Sequence, residues 1–162
     1  PDVLVYQTPP LEEDLTLAGG IDADLFVTTT GTDADWVVKL IDVYDRDFPD
    51  PQPNPAHVRM GGYQQLVRGE PFRGRYRRSP SVPFAFTPGA PDSLRFAMPD
   101  IHHTFRAGHR VMVQVQSSWF PLVDRNPQKF VNIYQAREGD FQRAVQRVYR
   151  TPDQASRGAS SE

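Results

Sequence analysis

Acidic residues at alternating positions are the first candidates for chemistry in this chain of 162 residues. Asp22 and Asp24, and then Asp33 and Asp35, place carboxylates two residues apart. Clustered carboxylate oxygens are preferred calcium ligands, so this spacing could line a calcium site. The same spacing suits the solvent face and the turn of a hairpin, because successive side chains of a strand alternate between faces. No D-x-[DN]-x-[DN]-G loop is present, so we favour the hairpin and predict no bound metal.

Histidines are the second candidates, and three of them lie close together as His102, His103 and His109. Adjacent residues of a strand point to opposite faces, so His102 and His103 cannot bind one ion. We therefore predict ordinary hydrogen-bonding histidines. The chain has no cysteine, which excludes a disulfide framework and a zinc–thiolate site and leaves the cellular compartment open.

A nucleophilic serine usually occupies a G-x-S-x-G turn between a strand and a helix. The segment Gly158-Ala159-Ser160-Ser161-Glu162 fails this pattern, and Ser117 and Ser118 have no histidine near them in sequence. The sequence therefore predicts no catalytic triad within this chain, and it indicates no catalytic residue and no cofactor.

Arginines dominate residues 68–78, with aromatic side chains interleaved. Proteins that bind single-stranded nucleic acid combine cations and stacking aromatics in this way. The net charge of −2 and the interrupting Glu70 argue against nucleic acid. Because the planar guanidinium pairs well with carboxylates, we favour ion pairs within the chain or with a neighbouring domain. The cluster comprises Arg68, Arg73, Arg75, Arg77 and Arg78, with Tyr63, Phe72 and Tyr76.

The charges are distributed unevenly along the chain. Residues 1–50 contain 12 acidic and 2 basic residues, whereas residues 51–162 contain 8 acidic and 16 basic residues. Both parts carry strand patterns, so we predict that the opposite charges pair across the strands of one domain rather than forming a nucleic-acid-binding tail.

Alternating apolar residues predict strands, for example with Ile21, Ala23, Leu25 and Val27 on one face. Residues 36–44 are apolar on both faces, which predicts cover from a neighbouring domain on the second face. Further strands are predicted over 93–98, 109–116, 131–134 and 141–149, the last of these also compatible with a short helix. Sixteen prolines indicate many loops, and no apolar run approaches the roughly 20 residues that span a bilayer. These patterns predict an all-β antiparallel sandwich of the jelly-roll type over residues 1–150, with residues 151–162 as a disordered tail.

The segment 117–128, here called the Trp119 loop, follows the strand 109–116 and is the most informative part of the chain. Loops are usually small and polar, because buried loops must find partners for their backbone groups. This loop instead carries Trp119 and Phe120, two prolines and an Asp-Arg-Asn run. We therefore predict that it packs against something.

Several long segments match one family of domains in order: Asp2-Val3-Leu4-Val5-Tyr6-Gln7-Thr8, Pro10-Leu11-Glu12-Glu13-Asp14-Leu15, residues 32–43, residues 62–70 and residues 108–127. Over about residues 2–150 the chain resembles the C-terminal non-catalytic jelly-roll domain of the X-Pro dipeptidyl-peptidases, cocaine esterases and α-amino acid ester hydrolases. The resemblance is closest to the α-amino acid ester hydrolases and glutaryl-cephalosporin acylases.

The resemblance implies a parent enzyme that transfers acyl groups by a Ser-His-Asp mechanism, with all three residues in an N-terminal α/β-hydrolase domain of the same polypeptide. It implies that this domain packs on the catalytic domain and borders its acyl pocket. The parent's substrate, its oligomeric state (a homo-oligomer included) and its export to the periplasm or medium stay open, and neither nucleic acid nor membrane is expected as a partner. The residues predicted at the interdomain contact are Trp119, Phe120, Asp124, Arg125 and Asn126.

The family usually closes with a further strand after the region of Tyr149, and residues 154–159 depart from that pattern. Either this last strand is lost or the tail diverges, and we expect an unpaired edge of the sandwich. An autonomous carbohydrate- or ligand-binding module is the rival function, with Trp36, Trp119, Tyr63, Tyr76 and Tyr134 as its stacking platform.

Overall fold

Strands form nearly all of the regular structure in the computed structural model, which describes residues 3–151, 154–155 and 157–160. The strands are β1 (Val3–Gln7), β2 (Leu15–Thr29), β3 (Asp35–Val43), β4 (Gln64–Arg73), β5 (Asp92–Phe105), β6 (Arg110–Gln116), β7 (Gln146–Val148), β8 (Arg150–Thr151), β9 (Gln154–Ala155) and β10 (Arg157–Ser160). Single turns of 3-10 helix cover Gly74–Tyr76, Ile133–Gln135 and Glu138–Asp140. No helix among the described residues is long and apolar enough to cross a membrane.

Two antiparallel sheets face each other, which confirms the predicted all-β sandwich. One sheet has the strand order β1-β6-β3-β4, and the other has the order β10-β2-β5 with β7 also paired to β2. Strands β8 and β9 form a separate pair. The long partners β2 and β5 shift register between Gly19 and Ile21, where Gly19 has a φ of 104° that a residue with a Cβ rarely adopts.

The core lies between the inner faces of the two sheets. Ala23, Leu25 and Val27 of β2 pack against Trp36 and Val38 of β3, as the alternation of apolar residues predicts. A second cluster fills the other end of the sandwich with Leu40, Val67, Ile101 and Phe105.

The outer face of β3 is covered by the chain itself. Val37, Ile41 and Val43 are buried in this chain alone, and the last two pack with Met112. The expectation that a neighbouring domain must cover this face is therefore wrong.

The charge asymmetry of the sequence is resolved inside the domain, as predicted. Each of four ion pairs joins an aspartate of the first 35 residues to an arginine beyond residue 70: Asp14–Arg106, Asp22–Arg95, Asp33–Arg75 and Asp35–Arg73. Asp35 and Arg73 are direct cross-strand partners on β3 and β4, the arrangement in which opposite charges stabilise a sheet.

The region after β6 differs from the strand predictions. Residues 131–134, predicted as a strand, instead enter a 3-10 turn in which Asn132 Oδ1 accepts from the Tyr134 amide at 3.1 Å. Such side-chain capping competes with strand pairing. Of residues 141–149, predicted as one strand or a short helix, the three residues of β7 pair with β2.

The end of the chain carries strands at two places within the range predicted as a tail. Residues 154–155 pair with β8, and residues 157–160 lie along β2. Residues 152, 153, 156, 161 and 162 of that range lie outside the described residues. A strand therefore lines the edge of β2 where an unpaired edge was expected.

Candidate docking surface

The Trp119 loop begins a long stretch without strands, residues 117–145, which is tied to the turn between β2 and β3. The Thr32 amide donates to the Gln128 carbonyl at 3.2 Å, and the Phe130 amide donates to Thr32 Oγ1 at 2.9 Å. A Cβ at Gly31 would lie 2.3 Å from the Gln128 carbonyl oxygen. The absence of a side chain at position 31 therefore permits this close approach.

Trp119 is half-buried against the outer side of β3 and β4. Its ring lies under the ammonium group of Lys39, which is 4.3 Å from the ring centroid. A Cβ at Gly69 would lie 2.7 Å from Cη2 of the indole, so the bare backbone at position 69 makes the seat for the ring. Burial lowers the pKa of Lys39, and the contact is a cation–π interaction.

Asn126 anchors the other end of the loop inside the domain. Its Nδ2 donates to Asp33 Oδ2 at 2.9 Å and to Asp35 Oδ1 at 2.8 Å. Its Oδ1 accepts from the Gln128 amide at 2.8 Å. Asn126 is one of the five residues predicted at the interdomain contact, and it is buried. It therefore holds the loop in place from inside the domain.

Two arginines complete this buried network. Arg75 donates to Asp33 Oδ2 through Nε at 2.9 Å and through a second, shorter contact from Nη2. It also donates to the Val131 carbonyl at 2.9 Å. Arg73 lies 3.8 Å from Asp35. Burial raises the pKa of Asp35 to about 6, against the opposing effects of the Asn126 hydrogen bond and the Arg73 charge.

The middle of the loop points into solvent. Phe120 and Leu122 are 63% and 68% exposed. The guanidinium of Arg125 lies 5.6 Å from the ring centroid of Phe120 and 5.4 Å from that of Phe141. Asp124 is also exposed, with Oδ2 at 4.0 Å from Arg73. The loop therefore presents apolar and charged side chains on a fixed base.

Exposed large apolar side chains recur through the rest of the stretch. Exposed apolar surface of this kind is typical of an interaction site. Residues 120–145 contribute Phe120, Leu122, Phe130, Tyr134, Phe141 and Val145 to the exposed set.

The stacking platform expected of a carbohydrate module is not assembled. Trp36 is buried in the core, and Trp119 is covered by Lys39 on its ring and by Gly69 at its edge. Tyr63 belongs to an aromatic cluster with Tyr44, at 5.7 Å between ring centroids. Of the proposed set, Tyr134 is the aromatic that is mostly exposed.

His103 and His109 belong to a hydrogen-bond network in the interior, of which the sequence indicates only the histidines. His103 Nε2 and His109 Nδ1 each lie 2.9 Å from a different oxygen of Asp42. They are hydrogen-bonding residues, as predicted, but their common partner is on β3 and no spacing in the sequence indicates it. Among the described residues, no group of three or more acidic, histidine or cysteine side chains could hold a metal ion.

The arrangement is that of a β-sandwich with internal ion pairs, in which the segment 117–145 presents apolar side chains outward. A family model described as the X-Pro dipeptidyl-peptidase C-terminal non-catalytic domain matches residues 1–157. The chain belongs to this family and is a non-catalytic C-terminal domain of the hydrolases that carry it.

The relatives are larger proteins. The chain is 34% identical over 155 residues to cocaine esterase from Rhodococcus sp. (strain MB1 Bresler), covering 96% of this chain and 24% of the esterase. An α-amino acid ester hydrolase structure is 52% identical, with a TM-score of 0.89, over 98% of this chain and 25% of that one. An aminopeptidase from a marine sediment Thaumarchaeota archaeon is 47% identical, also with a TM-score of 0.89, over 97% of this chain and 25% of that one. The chain thus spans about a quarter of each relative.

Proposed function

We propose that this chain is the accessory domain of a serine hydrolase, packed against an N-terminal α/β-hydrolase domain of the same polypeptide. The catalytic domain supplies the reacting serine, histidine and aspartate, and the parent acts on acyl compounds of the kind that the relatives' names indicate: α-amino acid esters, related amides or peptides. This chain contributes a rigid surface that borders the acyl pocket.

The Trp119 loop carries this proposal, because it is anchored at both ends and exposed in the middle. Trp119 rests on Gly69, and Asn126 is buried against Asp33 and Asp35. Between these anchors Phe120 and Leu122 face solvent. A preorganised apolar loop loses little conformational entropy when it docks, and burying its side chains stabilises the complex at roughly 25 cal/mol per Å².

The five predicted residues divide the work of this contact. Trp119 and Phe120 supply apolar area, with Trp119 also fixing the direction of the loop. Asp124 and Arg125 supply charges at the rim, where they bias orientation and association rate more than affinity. Asn126 acts from inside by holding the loop in the conformation that docks.

The proposal is tested by cutting the full-length polypeptide at a protease site placed before residue 1 and measuring the dissociation constant of the two pieces. We expect Phe120→Ser/Leu122→Ser to weaken association at least tenfold. Val58→Ser/Val82→Ser is the matched control, because both valines are exposed outside the segment. Equal dissociation constants for both double variants would remove the loop from the contact.

A second measurement concerns catalysis. The purified chain should show no ester hydrolysis that a serine-directed inhibitor blocks, whereas the rejoined pieces should. Inhibitor-sensitive turnover by the chain alone would contradict its accessory role.

A further inference from the structure

An open, basic groove runs beside the 3-10 turn Gly74–Tyr76. It has a volume of about 450 Å³, and among the described residues that line it four are arginines and none is acidic. A second groove of about 360 Å³ adjoins it, since Arg73 and Tyr76 line both. The four arginines are Arg73, Arg77, Arg78 and Arg95.

One of these arginines is structural. Arg77 is nearly fully buried and pairs with Asp92 at 2.7 Å. Its guanidinium also donates to the carbonyls of Phe84 and Ala85 and lies 3.7 Å from the ring centroid of Phe86. Its guanidinium is occupied by these partners within the domain. Arg77 therefore supports the floor of the groove and is not available to a ligand.

Arg73 is the opposite case. Within the described part of the chain its side chain donates no hydrogen bond: the buried Nη1 faces Asp35 at 3.8 Å, and Nη2 lies 4.0 Å from the exposed Asp124. Nε and Nη2 are not buried and have no acceptor within hydrogen-bond distance among the described residues. They are therefore the donors that an incoming carboxylate can reach, and together they form one side of the guanidinium fork.

Two exposed arginines widen this positive region. Arg78 and Arg95 have side chains that are 60% and 73% exposed. Arg78 shares the single oxygen Asp92 Oδ2 with Arg77, at 3.3 Å, and Arg95 lies 3.2 Å from Asp22. Surface pairs of this kind contribute little, and within the described part of the chain each of these two arginines donates one hydrogen bond to a carboxylate.

We propose that this arginine groove docks an acidic segment of the N-terminal catalytic domain, with an Asp or Glu carboxylate of that segment accepting hydrogen bonds from Arg73. This rests on the proposed function and extends the contact surface beyond the Trp119 loop. Charge complementarity supports it, because a planar guanidinium matches a carboxylate with two hydrogen bonds. The Asp124–Arg73 pair makes the groove continuous with the loop. The groove is open, and this shape suits a protein segment better than a small anion, which an enclosed site would bind.

The cleaved full-length polypeptide also tests this proposal. Arg78→Gln/Arg95→Gln should raise the dissociation constant at least tenfold and flatten its dependence on salt concentration, because screened charge pairs would be lost. Arg46→Gln/Arg59→Gln is the matched control: it makes the same charge change at exposed arginines that line neither groove. We expect the control to stay within twofold of wild type.

The conservative variant Arg73→Lys probes the fork itself. It retains the charge beside Asp35 but cannot make the paired hydrogen bonds. We expect weaker association with an unchanged melting temperature of the separate chain.

The outcomes separate the two proposals. If the wild-type pieces do not associate, the proposed function fails. If they associate and the groove variants match the control in both affinity and salt dependence, only the docking of an acidic segment is overturned. It is also overturned if association is unchanged while NMR titration with succinate shows saturable binding that Arg78→Gln/Arg95→Gln abolishes, since the groove then serves a free carboxylate.

Discussion

Asn126 and Asp35 are 91 positions apart in sequence, and their side chains meet in the interior, with Nδ2 of the amide 2.8 Å from Oδ1 of the carboxylate. The same nitrogen donates to Asp33. One amide thus fastens the Trp119 loop to the start of β3. The proposed docking surface depends on this internal hydrogen bond as much as on the side chains that the loop exposes.

Replacing Asn126 with alanine should lower the free energy of unfolding by about 2–3 kcal/mol, because two buried carboxylates lose a donor. Urea denaturation of the chain measures it. Asn132→Ala is the control: its amide oxygen accepts one exposed backbone hydrogen bond, and about 1 kcal/mol or less is expected. Similar losses for the two variants would contradict the anchoring role of Asn126.

Asp35 should make the domain less stable as the pH rises from about 4 to 6. Its pKa is raised from 3.8 to about 6 by burial. In this window the folded state holds a proton that the unfolded state has released, and stability rises with pH only where the unfolded state binds more protons. The free energy of unfolding therefore falls by about 2–3 kcal/mol as the pH rises across this window.

The difference in unfolding free energy between wild type and Asp35→Asn, measured from pH 4 to pH 7, isolates this effect. Other groups act in the opposite direction, such as Asp14, whose pKa is lowered by a hydrogen bond from the Ala107 amide, and they cancel in the difference. Asp124→Asn serves as the control, since Asp124 also faces Arg73 but is exposed. A pH-independent difference for Asp35→Asn would disprove the linkage.

Gly69→Ala should displace Trp119. The new Cβ would lie 2.7 Å from the indole, closer than carbon atoms approach, so the ring must leave its seat above β4. We expect a red-shifted tryptophan fluorescence spectrum and at least fivefold weaker association of the cleaved pieces. At Gly139 a Cβ would meet nothing within 4 Å, so Gly139→Ala should leave both unchanged. An unshifted spectrum for Gly69→Ala would show that Trp119 does not depend on this contact.

Asp42→Asn should destabilise the domain by about 1–3 kcal/mol. The carboxylate binds His103 and His109 with separate oxygens, and an amide replaces one acceptor with a donor. Thermal unfolding measures the loss. Asp24→Asn, at an exposed position of β2, should lie within about 0.5 kcal/mol of wild type. Equal melting temperatures for the two variants would mean that the histidines do not need the carboxylate.

The strands with clear alternation could be predicted, because the polarity of each residue along them indicates whether its side chain faces the core or the solvent. Residues 21–27 and 36–43 show which side chains face the core, and the structure places them there. The secondary structure of residues 131–149 was harder to predict, because Asn132 caps a local turn and strand β7 is only three residues long. Short-range hydrogen bonds determine the conformation of such segments, and the periodicity of apolar residues does not indicate these bonds.

The sequence by itself determined the class of the domain, the absence of a G-x-S-x-G motif and the unusual character of the Trp119 loop, because composition, alternation and segment order express these directly. Only the tertiary structure decided which residues meet. Asn126 with Asp35, Trp119 with Gly69, and Asp42 with its two histidines all join distant strands and loops. Such pairs form through sheet register and loop closure, and no local spacing encodes them.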